Sequence, residues 1–142
     1  MNAETILKKL RVFLLGFSIF IFAGALFELA FLNHLREELQ FVPFVLIPLG
    51  IILAALMIIK PSAKMIKVVR IGMWIILVGG VVGMIVHVSG NLEFLEGGTS
   101  ATFGEIIQKA FGGRNPLLAP GILSMSAVIS LAALYKHPLE TK

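Results

Sequence analysis

The chain has 142 residues, of which 58% are hydrophobic and 14% charged, and its mean hydropathy is +0.97, a balance that excludes a soluble domain of this size and predicts an integral membrane protein. The formal net charge of +4 is no nucleic-acid signature, because the basic residues flank apolar runs. The absence of cysteine excludes disulfides, thiolate metal sites, iron–sulfur clusters and thiol redox chemistry.

The first apolar run covers 12–32 and follows Lys8, Lys9 and Arg11. That polarity is shared with secretory signals, and Ala23-Gly24-Ala25 offers a small-residue site, but the run continues to Leu32 and matches the ~20 residues of a full span. It is read as a retained helix. Gly24 and Glu28 are four apart, which predicts a carboxylate over a small-residue notch about one turn below the outer end. The short polar link Asn33 to Gln40 predicts an antiparallel hairpin with the second span, 41–59. Pro43 fits the first turn of that span, and Pro48 lies in its interior, where it should kink the helix.

Lys60-Pro61-Ser62 reads as a stop followed by a restart, and the third span covers 71–89. Gly79 and Gly83 form a GxxxG spacing with Gly80 beside them, and His87 extends the same face. The next link, Gly90 to Asn115, spans 26 residues and must carry structure of its own. Thr102-Phe103-Gly104-Glu105 matches a capping box, and Phe103, Ile106, Ile107, Ala110 and Phe111 form one apolar stripe. A short amphipathic helix over 102–111 follows, either an interfacial anchor or a lid hinged at Gly97-Gly98 and Gly112-Gly113. The fourth span covers 116–135, with Pro116 and Pro120 competing for its first turn and Ser126, Ser130 and Ala133 on one face.

The expected fold is therefore an all-α integral membrane protein: one domain, 1–142, in which four transmembrane helices form an up-down bundle with a short amphipathic helix in the outer loop between helices 3 and 4. Nine of the twelve Lys and Arg residues lie before the first span, between the second and third, or after the fourth. By the positive-inside rule both termini are cytoplasmic. Arg36, Lys109 and Arg114 remain outside, with Glu37, Glu38, Glu93, Glu96 and Glu105.

Ionisable groups at membrane depth usually face inward and pair, so Glu28 and His87, joined by Asn91 or Glu93, form the candidate ligand or ion site. Its alternative is purely structural: a headgroup contact, a trapped water, or a pair that keeps two helices in register. No metal site is expected. His34, Glu37, Glu38, His87 and Glu93 have suitable chemistry, but none of their spacings is a metal motif. No cofactor is expected either, because haem needs two facing ligands at similar depth. The serines lack an evident base, so no catalytic residue is assigned. Gly79, Gly83, Ser126 and Ser130 are the helix-packing residues, within one bundle or between copies.

The segment His87-Val88-Ser89-Gly90-Asn91-Leu92-Glu93-Phe94 and the later Asn115-Pro116-Leu117-Leu118-Ala119-Pro120-Gly121 resemble a pattern in small four-helix bacterial membrane proteins without an assigned function. The resemblance covers the second half of the chain. It implies a bacterial cytoplasmic membrane and an outer loop that forms one unit with its flanking helix ends, and it implies no activity. The leading expectation is a protein that acts by association, as a homo-oligomer or an accessory subunit, in contact with the lipid bilayer and not with nucleic acid. A transporter or ion- or proton-coupled binding protein using an outward-facing Glu28 and His87 site is the alternative, and a membrane enzyme with an outer His and Glu site the third.

Overall fold

Asn2 opens the first helix: its side-chain oxygen accepts from the Thr5 amide at 2.9 Å and from the Thr5 hydroxyl at 2.7 Å, satisfying a donor that the first turn leaves orphaned. From there the computed structural model is helical almost throughout. It describes residues 2–31, 41–93, 102–113 and 117–140. The helices are α1 (Ala3–Phe31), α2 (Phe41–Ile59), α3 (Ala63–Glu93), α4 (Phe103–Gly112) and α5 (Leu118–Ala133), followed by a 3-10 turn, Pro138–Glu140.

Helix α1 begins at Ala3 rather than Val12, and α3 spans Ala63–Glu93 rather than 71–89. The two N-terminal gains have one cause, since lysine and arginine are good helix formers and residues 3–11 and 63–70 contain no breaker. Ser62 supplies the start of α3, its hydroxyl accepting from the Met65 amide at 3.1 Å. Pro48 lies inside α2, whereas Pro120 sits in the first turn of α5, where its missing amide costs nothing. The links 33–40 and 94–100, with His34, Glu37, Glu38 and Gly97-Gly98, and the segment Arg114 to Pro116 lie outside the described residues.

The buried positions of α1 are Leu15, Ser18, Phe22, Ala25 and Leu29, which alternate by three and four and so make one stripe along the helix. Against it pack α2 and α5, while α3 packs against the same two helices from the far side. Helices α1 and α3 are thus diagonal to each other, with no close backbone approach among the described residues. Phe22, Ile47, Ile66, Met73, Ile76 and Leu134 fill the space between them. Ser130 donates to Ser18 at 2.8 Å and Ser18 donates to the Leu15 carbonyl at 2.8 Å, joining α5 to α1 through a buried hydroxyl chain. No buried side-chain nitrogen or oxygen among the described residues lacks a partner.

The outside is as apolar as the inside, with Phe13, Phe20, Phe27, Phe31, Ile71 and Ile85 all exposed. A surface of that kind suits lipid and not water. Helices α1, α2 and α3 are long and apolar enough to cross a membrane. Helix α5 has 16 residues, which at 1.5 Å per residue gives about 24 Å.

Candidate functional site

At the end of the bundle where α1 and α3 finish, the sequence placed its candidate ligand site. The structure separates its members. Glu28 and Gly24 are exposed on the outer surface of α1. The buried stripe uses Ala25 and Leu29, and the residue before each lies about 100° round the helix from it. Glu28 therefore does not point into a small-residue notch of the bundle, and with α1 and α3 on opposite corners the helix arrangement does not bring it to His87. His87 is half-buried on α3, and Glu93 is exposed at its last position. Among the described residues no cluster of His, Asp and Glu could hold a metal ion.

Asn91 behaves differently from its three companions. It is buried, and its amide donates to the Ala110 carbonyl at 3.2 Å, one of the last carbonyls of α4. Gly113 is required beside it: a Cβ there would strike the Asn91 amide group and lie 2.6 Å from the Lys109 carbonyl. The backbone at Gly113 is ordinary, with φ −71°, so close approach and not a left-handed turn explains this glycine. At its other end α4 carries the expected capping box: the Glu105 carboxylate accepts from the Thr102 amide at 2.8 Å, and the Thr102 hydroxyl accepts from the Glu105 amide. The Thr102 bonds hold the Glu105 carboxyl below its ordinary value. Helix α4 thus docks on α3 by one amide and Ala110, while Phe103 and Phe111 stay exposed. An apolar groove of about 520 Å³ runs between the end of α4 and the start of α5, lined by Phe111, Leu117, Gly121, Ile122 and Met125 among others. The described residues of its walls are apolar or glycine, which suits an apolar chain.

The packing residues are consumed inside the chain. A Cβ on Gly79 would lie 2.6 Å from Leu46 of α2, one on Gly80 would lie 2.8 Å from the Pro120 carbonyl, and one on Gly83 would lie 3.1 Å from Pro120. The GxxxG face is therefore shared between α2 and α5. Ser126 is buried on its own Ile122 carbonyl at 2.9 Å, and Ser130 bonds Ser18.

The opposite end holds a constellation that the sequence reading treated only as a topology signal. Arg11 of α1 donates to the carbonyls of Tyr135 and Lys136 at 3.4 and 3.2 Å, and Arg70 of α3 donates to the Leu134 carbonyl at 3.4 Å. These are orphan carbonyls at the end of α5, where the helix dipole favours cations. Arg70 also pairs with Glu140 at 2.5 Å. That hydrogen bond holds the Glu140 carboxyl below its ordinary value, and burial together with nearby Arg11 lowers the His137 imidazole. Lys136 has φ 43°, a left-handed conformation that costs a side-chain-bearing residue about 1 kcal/mol, and the Arg11 contact helps to hold it. One signal was available in the sequence: Arg11 and Arg70 are each the last charged residue before an apolar run, so each enters the bundle with its helix.

No family model, curated protein or solved structure matches this chain.

Proposed function

We propose that this chain is a four-span membrane bundle that works by associating with another membrane helix, from a second copy or from a larger complex, through the outward face of α1. In this reading α5 is the fourth span, both termini are cytoplasmic, and α4 lies in the outer interface of a bacterial cytoplasmic membrane with Phe103 and Phe111 in the lipid. One observation carries the reading. Gly50, Gly72, Gly79, Gly80 and Gly83 are each filled by a neighbouring helix, whereas nothing lies within 4 Å of a Cβ built at Gly16 or Gly24. These two glycines open notches on the face that also bears Phe13, Phe17, Phe20, Phe27 and Glu28. A glycine facing lipid alone weakens its helix by ~1 kcal/mol without a compensating contact, and a carboxylate facing lipid is also disfavoured. A partner helix seated on the notches offsets both.

Transport through the bundle has less support, because its core is packed with aliphatic and aromatic side chains and Glu28 lies outside it. The test is photo-crosslinking in native membranes from position 20, exposed on the same face of α1, followed by mass analysis of the product. The expected result is one dominant adduct that a Gly24→Leu substitution abolishes without loss of fold. Crosslinks to lipid alone, with a monomer in mild detergent, would sink the reading.

A further inference from the structure

The end of the bundle where α1 and α3 begin sorts its cations by type. Both arginines, Arg11 and Arg70, are engaged in holding the end of α5. The lysines Lys8, Lys9, Lys60, Lys64, Lys67 and Lys136 are all exposed, and Arg70–Glu140 is the ion pair recorded among the described residues. Only Glu4 and Glu140 are described carboxylates at this end, and Glu140 is taken by Arg70. Helix stability does not account for the lysines of α3. Lys64 lies in its first turn and Lys67 in its second, at the positive end of the helix dipole, where a cation is disfavoured unless an anion joins it. The N-terminus of α1 adds a second positive helix end on the same side. At the C-terminus of α5, the matching negative end is already covered by the two arginines.

We propose that these lysines form a ring that binds the anionic headgroups of phospholipids in the adjacent leaflet. Position decides between lipid and an acidic protein. The six lysines come from α1, the end of α2, the start of α3 and the segment after α5, so they surround the bundle. A protein partner would approach from one side, whereas headgroups line the whole perimeter at this depth. Lysine suits this role better than arginine, being a compact point charge on a flexible stem that follows a mobile phosphate. A lysine stem at the end of a span can cover apolar surface while its ammonium group reaches the headgroup layer. Tyr135, exposed and with the Lys136 ammonium 5.6 Å from its ring centre, adds an interfacial aromatic at the same level. Juxtamembrane lysines of this kind interact with anionic surfaces through charge alone, so the binding weakens with salt.

The inference rests on membrane insertion and not on association through α1. The full chain is reconstituted in nanodiscs of phosphatidylcholine alone or of an equimolar mixture with phosphatidylglycerol, and retained lipids are identified by native mass spectrometry. Phosphatidylglycerol should be enriched over phosphatidylcholine among retained lipids, raise the thermal midpoint, and lose both effects at high salt. The variant carrying K8Q, K9Q, K60Q, K64Q and K67Q should retain the two lipids equally. The corresponding five Lys→Arg changes should keep the preference, which separates charge from folding. Equal retention of both lipids by the unaltered chain overturns the proposal, and so does enrichment that survives the five Lys→Gln changes. Displacement of phosphatidylglycerol by a soluble polyglutamate peptide at an equal charge ratio would assign the ring to an acidic protein instead.

Discussion

The two ends of the bundle meet the same physical problem with different chemistry. A helix that stops leaves carbonyls unsatisfied, and here α5 and α4 stop at opposite ends. At the basic end, Arg11 and Arg70 reach from two other helices to the carbonyls of Leu134, Tyr135 and Lys136. At the other end a neutral amide, Asn91, reaches the Ala110 carbonyl. The difference follows from solvation. Arg70 remains 37% exposed, so its charge keeps part of its hydration, whereas Asn91 is 2% exposed and a cation in its place would lose nearly all of it. The end of α5 is therefore held by electrostatics that pH and salt can weaken, and the end of α4 by a buried hydrogen bond in which neither partner ionises.

Removing the neutral clamp gives the largest expected effect. Asn91→Leu keeps the branch at Cγ but leaves the Ala110 carbonyl without its donor, at a cost of about 1–3 kcal/mol. Since α4 packs only on α3 among the described residues, the loss should stay local. Hydrogen exchange should show α4 unprotected while α1, α2, α3 and α5 keep their protection. Uniform destabilisation of all five helices would mean that Asn91 is part of the core and not a clamp for α4. Removing the charged clamp should do less. Arg70→Gln loses the Glu140 pair and weakens one carbonyl contact at a half-exposed site, where ion pairs contribute modestly. Limited proteolysis should cut the segment after α5 faster while the thermal midpoint falls less than for Asn91→Leu.

How much of this contrast was legible in the sequence depends on which face of a helix is asked about. The helices themselves follow from run lengths and caps: α2 covers the expected 41–59, and the Thr102 box opens α4 as its spacing requires. Orientation was harder. Glu28 was expected to face inward because intramembrane charges usually do, yet the three-four stripe through Leu15, Ser18, Phe22, Ala25 and Leu29 puts it outside. With leucine, phenylalanine and isoleucine on every side of α1, hydrophobicity alone could not tell the core stripe from the lipid stripe. Gly79 and Gly83 were legible as contact residues, but not that two different helices would fill them. Arg11 and Arg70 were hidden for another reason, because a charge count treats an arginine that caps a helix and an exposed lysine alike.

Acid should act on the two ends through different carboxylates. The folded-state pKa of Glu140 is depressed, so its contribution is complete above the ordinary carboxylate value, about 4.3, and is lost as pH falls through the depressed one. Glu105 is depressed by the Thr102 bonds and behaves the same way at the start of α4. Glu140→Gln should therefore remove acid sensitivity from the segment after α5 and leave that of α4 intact, and Glu105→Gln should do the reverse. Protection of backbone amides measured in each segment on descending pH checks both, and a single shared transition in the two variants would mean that the ends are not independent.

The smallest effect concerns His137, which lies at the basic end and separates this end from the other over a milder pH range. Burial and the charge of Arg11 push its pKa below the usual histidine value of about 6.5, and Glu140 opposes them. The unfolded chain therefore binds this proton more readily than the folded one. The stability that His137 contributes is fully present above pH ~6.5 and declines as pH falls through the depressed folded value. A shallow loss of protection after α5 should begin well before the carboxylates titrate, with no counterpart at Asn91, where nothing ionises. His137→Asn should flatten that first slope and leave the Glu140 step in place. If the slope persists in the variant, the early titration belongs to another group and the basic end is held by its carboxylate alone.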